Sequence, residues 1–269
     1  MEGFSRSAPF EKWEGLGNDF VLMDARHVEH EPSASAIARI CDRHTGVGAD
    51  GVLIVDRSAT PNVMVVRNAD GSRPEMCGNG LRCVAGYLLA QAHTEEAFPI
   101  RTDAGIRVCK VALPTMSDGT YVVEAGMGTA RECGDLDVTI DDRTHRFASV
   151  SMGNPHAVTF EGYDDAAFDR IARHVERAVE GGTNVERVRT VAGEGVLDVT
   201  VWERGVGYTR ACGTGACAVA VVACRRGLVA FDAWQTVRLP GGDLEVLVVA
   251  QTLDVRLRGP ARRVFAGTI

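Results

Sequence analysis

Two cysteines of the 269-residue chain sit in the same short frame, Cys77-Gly78-Asn79-Gly80 and Cys212-Gly213-Thr214-Gly215, 135 residues apart. Each opens a stretch that is apolar nearly all round, residues 79–92 and 213–226, and such stretches predict helices buried on every side. The first-turn amides of a helix have no internal partner and carry partial positive charge. A thiol placed there is expected to have its pKa lowered, and the thiolate is the reactive form. The glycines let the backbone approach an anion closely. Two such ends facing one another would clamp a carboxylate and put a sulfur on each side of its α-carbon. A thiolate on one face and a thiol on the other are the base and acid needed to invert a carbon bearing an acidic C–H, and they exchange roles in reverse. The α-proton is very weakly acidic. Amides aimed at the carboxylate, in a site closed to water, would stabilise the charge that develops as it leaves. This chemistry needs no pyridoxal, none of the lysines sits in a motif that proposes one, and no cofactor is expected.

A lone buried cysteine is usually structural, and one C-G-x-G alone would read as a tight turn. The matched pair reverses that reading. Cys41, Cys83, Cys109, Cys133, Cys217 and Cys224 lack the glycine frame and read as structural. There is no C-x-x-C pair, so no metal site is expected. Neither a GxxxxGK[ST] phosphate loop nor a glycine-rich dinucleotide fingerprint is present.

The elements that must position these turns are mostly strands. Segments 52–56, 62–67, 106–112, 120–125, 196–202, 244–249 and 253–257 are short, Val-rich and bounded by Gly, Pro or Asp-Gly. Residues 164–179 predict an amphipathic helix capped by Asp164, with Phe168, Ile171, Val175 and Val179 at helical spacing, and a shorter helix is expected over 33–43. Gly227 is expected to end the second buried helix behind two arginines. Other motifs repeat at the cysteine offset: Gly17-Asn18 with Gly153-Asn154, 136 apart, and Asn68 opposite Glu203. Three polar motifs in one order predict a duplicated fold with its cleft on a pseudo-twofold axis.

Composition is that of an ordinary globular chain, 45% hydrophobic and 24% charged, with a net charge of −7. Lys and Arg are scattered, which argues against a nucleic-acid or anionic-membrane surface. The first eight residues do not read as a signal peptide, and no apolar run approaches the length of a membrane helix. Eight cysteines in that context predict reduced thiols and a cytoplasmic location.

The blocks GLGNDFV (15–21), CDRHTGVGADG (41–51), NADGSRPEMCGNGLR (68–82), SMGNPHAV (151–158), GGTNVE (181–186) and ERGVGYTRACGTGACA (203–218) closely resemble those of the diaminopimelate epimerase family. The resemblance spans about 200 residues in the family's order. It implies an α/β (α+β) fold of two pseudo-symmetric domains, residues 1–124 plus 259–269 and 125–258. Each would be a curved, mostly antiparallel sheet around a central buried helix, and the domains would close on substrate. It implies Cys77 and Cys212 as catalytic bases, and the amides of Gly78, Asn79, Gly213 and Thr214 on the reacting carboxylate. Asn18, Asn68, Asn154, Asn184, Glu203 and Arg204 would hold substrate, with His156 supporting. The reaction implied is interconversion of LL- and meso-2,6-diaminoheptanedioate, serving lysine and peptidoglycan precursor synthesis, by a homodimer. The physical chemistry agrees: Arg204 suits a distal carboxylate, Glu203 an ammonium, and four asparagines add donors and acceptors without charge. Three positions depart from the family pattern: Glu14 for a frequent His, Gly51 for a frequent Gln, and Tyr208 for an acidic or small residue. Gly51 and Tyr208 motivate a rival reading, a racemase of another amino acid on the same scaffold. A second rival is a non-catalytic amino-acid-binding protein with structural or redox-sensing cysteines.

Overall fold

The computed structural model describes residues 3–5, 7–74, 76–92, 96–113, 116, 118–191 and 195–269. The chain divides into two compact units, residues 1–125 with 258–269, and residues 126–257. Unit 1 contains β1 (Pro9–Gly15), β2 (Asn18–Asp24), α1 (Ala34–Cys41), β3 (Gly51–Asp56), β4 (Asn62–Asn68), α2 (Gly78–Ala92), β5 (Phe98–Thr102), β6 (Gly105–Leu113) and the start of β7 (Thr120–Thr129). Unit 2 contains β8 (Arg131–Ile140), β9 (Arg143–Ser151), β10 (Pro155–Thr159), α3 (Asp165–Ala178), β11 (Asn184–Val191), β12 (Val196–Glu203), β13 (Gly207–Tyr208), α4 (Gly213–Arg225), β14 (Trp234–Leu239) and β15 (Gly242–Val248). The final strand, β16 (Asp254–Thr268), returns to pair antiparallel with β1 through its last residues.

One topology is written twice. In unit 1, β1 pairs β2 antiparallel, α1 crosses to a parallel β3, β4 is antiparallel to β3, α2 crosses to a parallel β5, and β6 closes antiparallel. In unit 2, β9, β10, α3, β11, β12, α4, β14 and β15 repeat those steps with the same senses. Each parallel step needs a crossover, and a helix supplies it in every case. The sheets are thus mostly antiparallel, with two parallel steps in each unit.

The helices of a unit differ as their sequences predict. α3 begins at Asp164, whose side chain accepts the Ala167 N–H, and lays Phe168, Ile171, Ala172 and Val175 on the sheet with Phe147, Val185 and Trp202. Ser33 caps α1 in the same way, and Ile37 and Ile40 pack on Val21, Met23 and Val52. α2 and α4 lie on the opposite faces. All of α4 from Gly213 to Cys224 is buried, packed against β9, β10, β11, β12, β14 and β15. α2 touches β1, β2, β3, β4 and β6. The sheet of each unit therefore surrounds its central helix. Gly227, at φ +67°, ends α4 by returning its N–H to Cys224 while Leu228 returns its own to Ala223.

All eight cysteines are thiols. Burial pushes Cys41 and Cys224 up to about 11 and Cys109 to about 12, and pushes Cys83 in the same direction. Folded values above the ordinary 9.0 mean that these thiols contribute stability fully below that pH, and that the contribution is lost as pH rises through the folded values. The urea midpoint is expected to fall from about pH 9 upward, each thiol contributing about 1.4 kcal/mol per pH unit over its window. A midpoint that stays level to pH 11 would contradict this.

Candidate active site

In unit 1, Cys77 is half-buried immediately before α2; its sulfur accepts the Gly80 N–H at 3.3 Å and its carbonyl the Leu81 N–H at 2.8 Å. Gly80 leaves room for this turn: a Cβ there would lie 2.9 Å from Leu53 Cδ2 and 3.4 Å from the Cys77 sulfur. Asn79, 3% exposed, donates to Asn18 Oδ1 at 3.0 Å and accepts from Arg82 at 2.9 Å. Asn18 in turn donates to Asp50 at 2.7 Å. The strand register sets Phe20, Gly51 and Asn68 in one row across β2, β3 and β4, so Asn68 lies at the same end of the sheet; its amide donates to Ser72 Oγ at 2.9 Å. Unit 1 thus gathers Asn18, Asn68, Cys77, Gly78 and Asn79.

A charged frame holds Asn18. Arg43 grips both oxygens of Asp19 and also bonds Asp50, and Lys12 pairs with Asp19 at 2.6 Å. Burial raises the Asp19 pKa, but Arg43 and Lys12 outweigh it and hold the carboxyl at about 2. Arg82 is fully buried, donating to the carbonyls of Gly78 and Pro260 as well as to Asn79. Sequence reasoning missed Asp19, Arg43, Asp50 and Arg82.

In unit 2, Cys212 caps α4: its sulfur accepts the Gly215 N–H at 3.3 Å and its carbonyl the Ala216 N–H at 3.0 Å. Thr214 Oγ1 lies 3.5 Å from the sulfur and accepts from Asn154 Nδ2 at 3.3 Å. Asn154 Oδ1 is 3.1 Å from His156 Nε2, and His156 Nδ1 is 2.7 Å from Glu186 Oε1. Asn184 donates to the Pro155 carbonyl and accepts the Arg204 N–H, each at 3.0 Å, while the exposed Arg204 guanidinium bonds the Gly181 carbonyl at 3.0 Å. Glu203 accepts from Thr209 at 2.6 Å. Unit 2 gathers Asn154, His156, Asn184, Glu203, Arg204, Cys212, Gly213 and Thr214. Glu186 was missed: it stands in β11 where Leu53 stands in β3, against a glycine of the cysteine turn, so no repeated polar motif pointed to it.

One expectation is overturned. The Cys212 thiol is raised well above its ordinary value, first by burial and then by the nearby Glu203 and Glu186 carboxylates. The Thr214 hydroxyl and the Gly215 amide pull it down, as a helix N-terminus should, but they are outweighed. Among the described residues no group of His, Cys, Asp or Glu is set to hold a metal ion.

The departures from the family pattern also find a place. Tyr208 pairs directly with Trp202, and Glu203 with Gly207. Side chains alternate across a strand, so Tyr208 shares the Trp202 face, against Phe168 of α3, and points away from the Glu203 face. Tyr208→Ala is expected to change kcat/KM less than about threefold, as surface changes away from a site usually do. A switch in preference among amino acids would contradict this. At Gly51 a Cβ would lie 2.5 Å from the Arg67 carbonyl, so no side chain fits there without backbone movement.

The duplicated strand-and-helix scaffold is shared with solved structures. A solved structure of a hydroxyproline epimerase from Agrobacterium vitis matches at a TM-score of 0.72 with 15% identity, over 100% of this chain and 92% of that one. At that identity the likeness is one of fold. The sequence goes further: the chain belongs to the diaminopimelate epimerase family, whose model matches residues 10–133 and 148–264. The diaminopimelate epimerase of Thermosynechococcus vestitus is 39% identical over 98% of this chain and 99% of its own length. That of Synechocystis sp. is 38% identical over 96% of this chain and 97% of its own.

Proposed function

We propose that this protein interconverts LL- and meso-diaminopimelate without a cofactor, using Cys77 and Cys212 as bases on opposite faces of one α-carbon. The observation that carries the reading is the duplicated device, a cysteine sulfur receiving a backbone N–H at the head of a buried helix in each repeat of this family member. Gly78, Asn79, Gly213 and Thr214 would offer first-turn amides to the substrate carboxylate. Asn18, Asn68, Asn154 and Asn184 would orient the reacting end, Glu203 would take an ammonium and Arg204 the distal carboxylate.

Cys212 enters this cycle as a thiol, the form required of the proton donor. Acting in the opposite direction requires its thiolate. Glu203 is the largest charge opposing that thiolate, and a substrate ammonium on Glu203 would offset it. The same reading takes residues 1–124 with 259–269, and 125–258, as two epimerase domains of a cytoplasmic homodimer without nucleic-acid or membrane partners, serving lysine and peptidoglycan precursor synthesis. Among the described residues no helix is long and apolar enough to cross a membrane. The test is incubation of reduced protein with the LL isomer in deuterated water. Meso product labelled at one α-carbon is the expected result; absence of both product and label would refute the proposal.

A further inference from the structure

Glu186 closes the GGTNVE block and lies in β11 with a fully buried side chain, and the family resemblance gives it no role in the reaction. One oxygen is 2.7 Å from His156 Nδ1; the other is buried without a hydrogen-bond partner among the described residues. His156 is itself fully buried. A buried carboxylate is costly unless a donor faces it, so this pair is the contact on which both residues depend. Glu186 also sits directly beneath the first turn of α4: a Cβ at Gly215 would lie 2.7 Å from its Oε1 and 3.3 Å from the Cys212 sulfur.

From Glu186 the hydrogen bonds run in one direction. The carboxylate accepts from His156 Nδ1, and Asn154, whose Nδ2 donates to Thr214 Oγ1, turns its Oδ1 to His156 Nε2, so the run is continuous when His156 carries both ring protons as an imidazolium ion-paired with Glu186. With one lone pair of its oxygen engaged, the Thr214 hydroxyl keeps its own proton available for the Cys212 sulfur, 3.5 Å away. Each member fixes which end of the next one faces forward, as a carboxylate behind a metal-bound histidine orients its ring. Unit 1 is apolar at the equivalent place: Leu53, paired with Leu22 as Glu186 is with Val158, meets the turn at Gly80, and Asn18 is fixed instead by Asp50 before it meets Asn79.

We propose that Glu186 is a positioning residue for the epimerase reaction: acting through His156, Asn154 and Thr214, it aims a hydroxyl proton at the Cys212 sulfur. This rests on the function proposed above, and its test has one arm that does not. Without substrate, histidine-labelled protein should show a downfield, hydrogen-bonded ring N–H resonance that disappears in His156→Gln and is lost or moved upfield in Glu186→Gln. Absence of that resonance from the wild type, or its persistence in Glu186→Gln, overturns the proposal whether or not the protein turns over diaminopimelate. In the activity arm, Glu186→Gln is expected to lower kcat by about 10- to 100-fold with little change in KM. Thr214→Val should do the same, and the double variant should be no worse than the poorer single variant by more than about threefold. Multiplying losses would mean the two act independently and would overturn the chain. Should Glu186→Gln not fold, the wild-type resonance and a Thr214→Val variant of unchanged kcat remain sufficient to refute it.

Discussion

Replacing either Cys77 or Cys212 by alanine is expected to lower kcat for inversion by about 10³-fold or more, since each variant lacks either the base or the acid in both directions. The two losses should not multiply, because the cysteines act as one unit. The variants should also differ from one another. Each keeps one sulfur, and that sulfur can still remove the α-proton from the isomer presenting hydrogen to its face. Each variant should therefore exchange deuterium slowly into one isomer without inverting it, and the two should choose opposite isomers. Measurement of exchange and inversion separately, by NMR and chiral chromatography, checks this. Equal inversion rates in wild type and either variant would remove that cysteine from the mechanism. Folding should be little affected at Cys77, which is half-buried, so circular dichroism provides the control.

Arg204→Met should raise KM for diaminopimelate by about 100-fold, the effect of losing a charge-assisted bidentate pair, with kcat lowered less. The residue suits this role because its backbone N–H is fixed by Asn184 while its guanidinium stays exposed, bonded to the Gly181 carbonyl. A Cβ at Gly182 would lie 2.8 Å from Arg204 Cδ, so the loop before β11 guides the side chain. A KM unchanged by the substitution would place the distal carboxylate elsewhere and reopen the substrate assignment.

Much of the scaffold was legible because its signals are local. Asp164 before an apolar stripe defines α3, and the unbroken apolar run ending in Arg-Arg-Gly defines α4. The β8–β9 hairpin was not legible. The first half of β8, Arg131–Asp135, is exposed throughout, and its inward face rests on Leu136, Val138 and Ile140 alone, too short a run of alternation to stand out. Its turn is Asp141-Asp142, both at positive φ, where the usual signal would be Asn-Gly or Asp-Gly. β1 was hidden differently, since its buried Lys12 reads as a solvent residue until Asp19 is seen beside it.

The site divides in the same way. The cysteine turns and the asparagines stand out beside their glycines, but Asp50 in GADG reads as an ordinary turn acid and Glu186 as one charge in a strand, and their roles arise from what the fold packs against them. The Cys212 thiol shows why local reasoning misjudged its acidity. A sequence reveals the helix N-terminus that lowers a pKa; it does not reveal the burial and the two carboxylates that raise it further.

The central claim is that Cys77 and Cys212 serve one carbon. A crystal structure of the protein with bound diaminopimelate, taken at a pH where turnover is arrested, would measure it directly. The account predicts both sulfurs within about 3.5 Å of the same α-carbon, one on each face, with its carboxylate on the amides that open α2 and α4. A substrate that meets one sulfur alone, or neither, would contradict it.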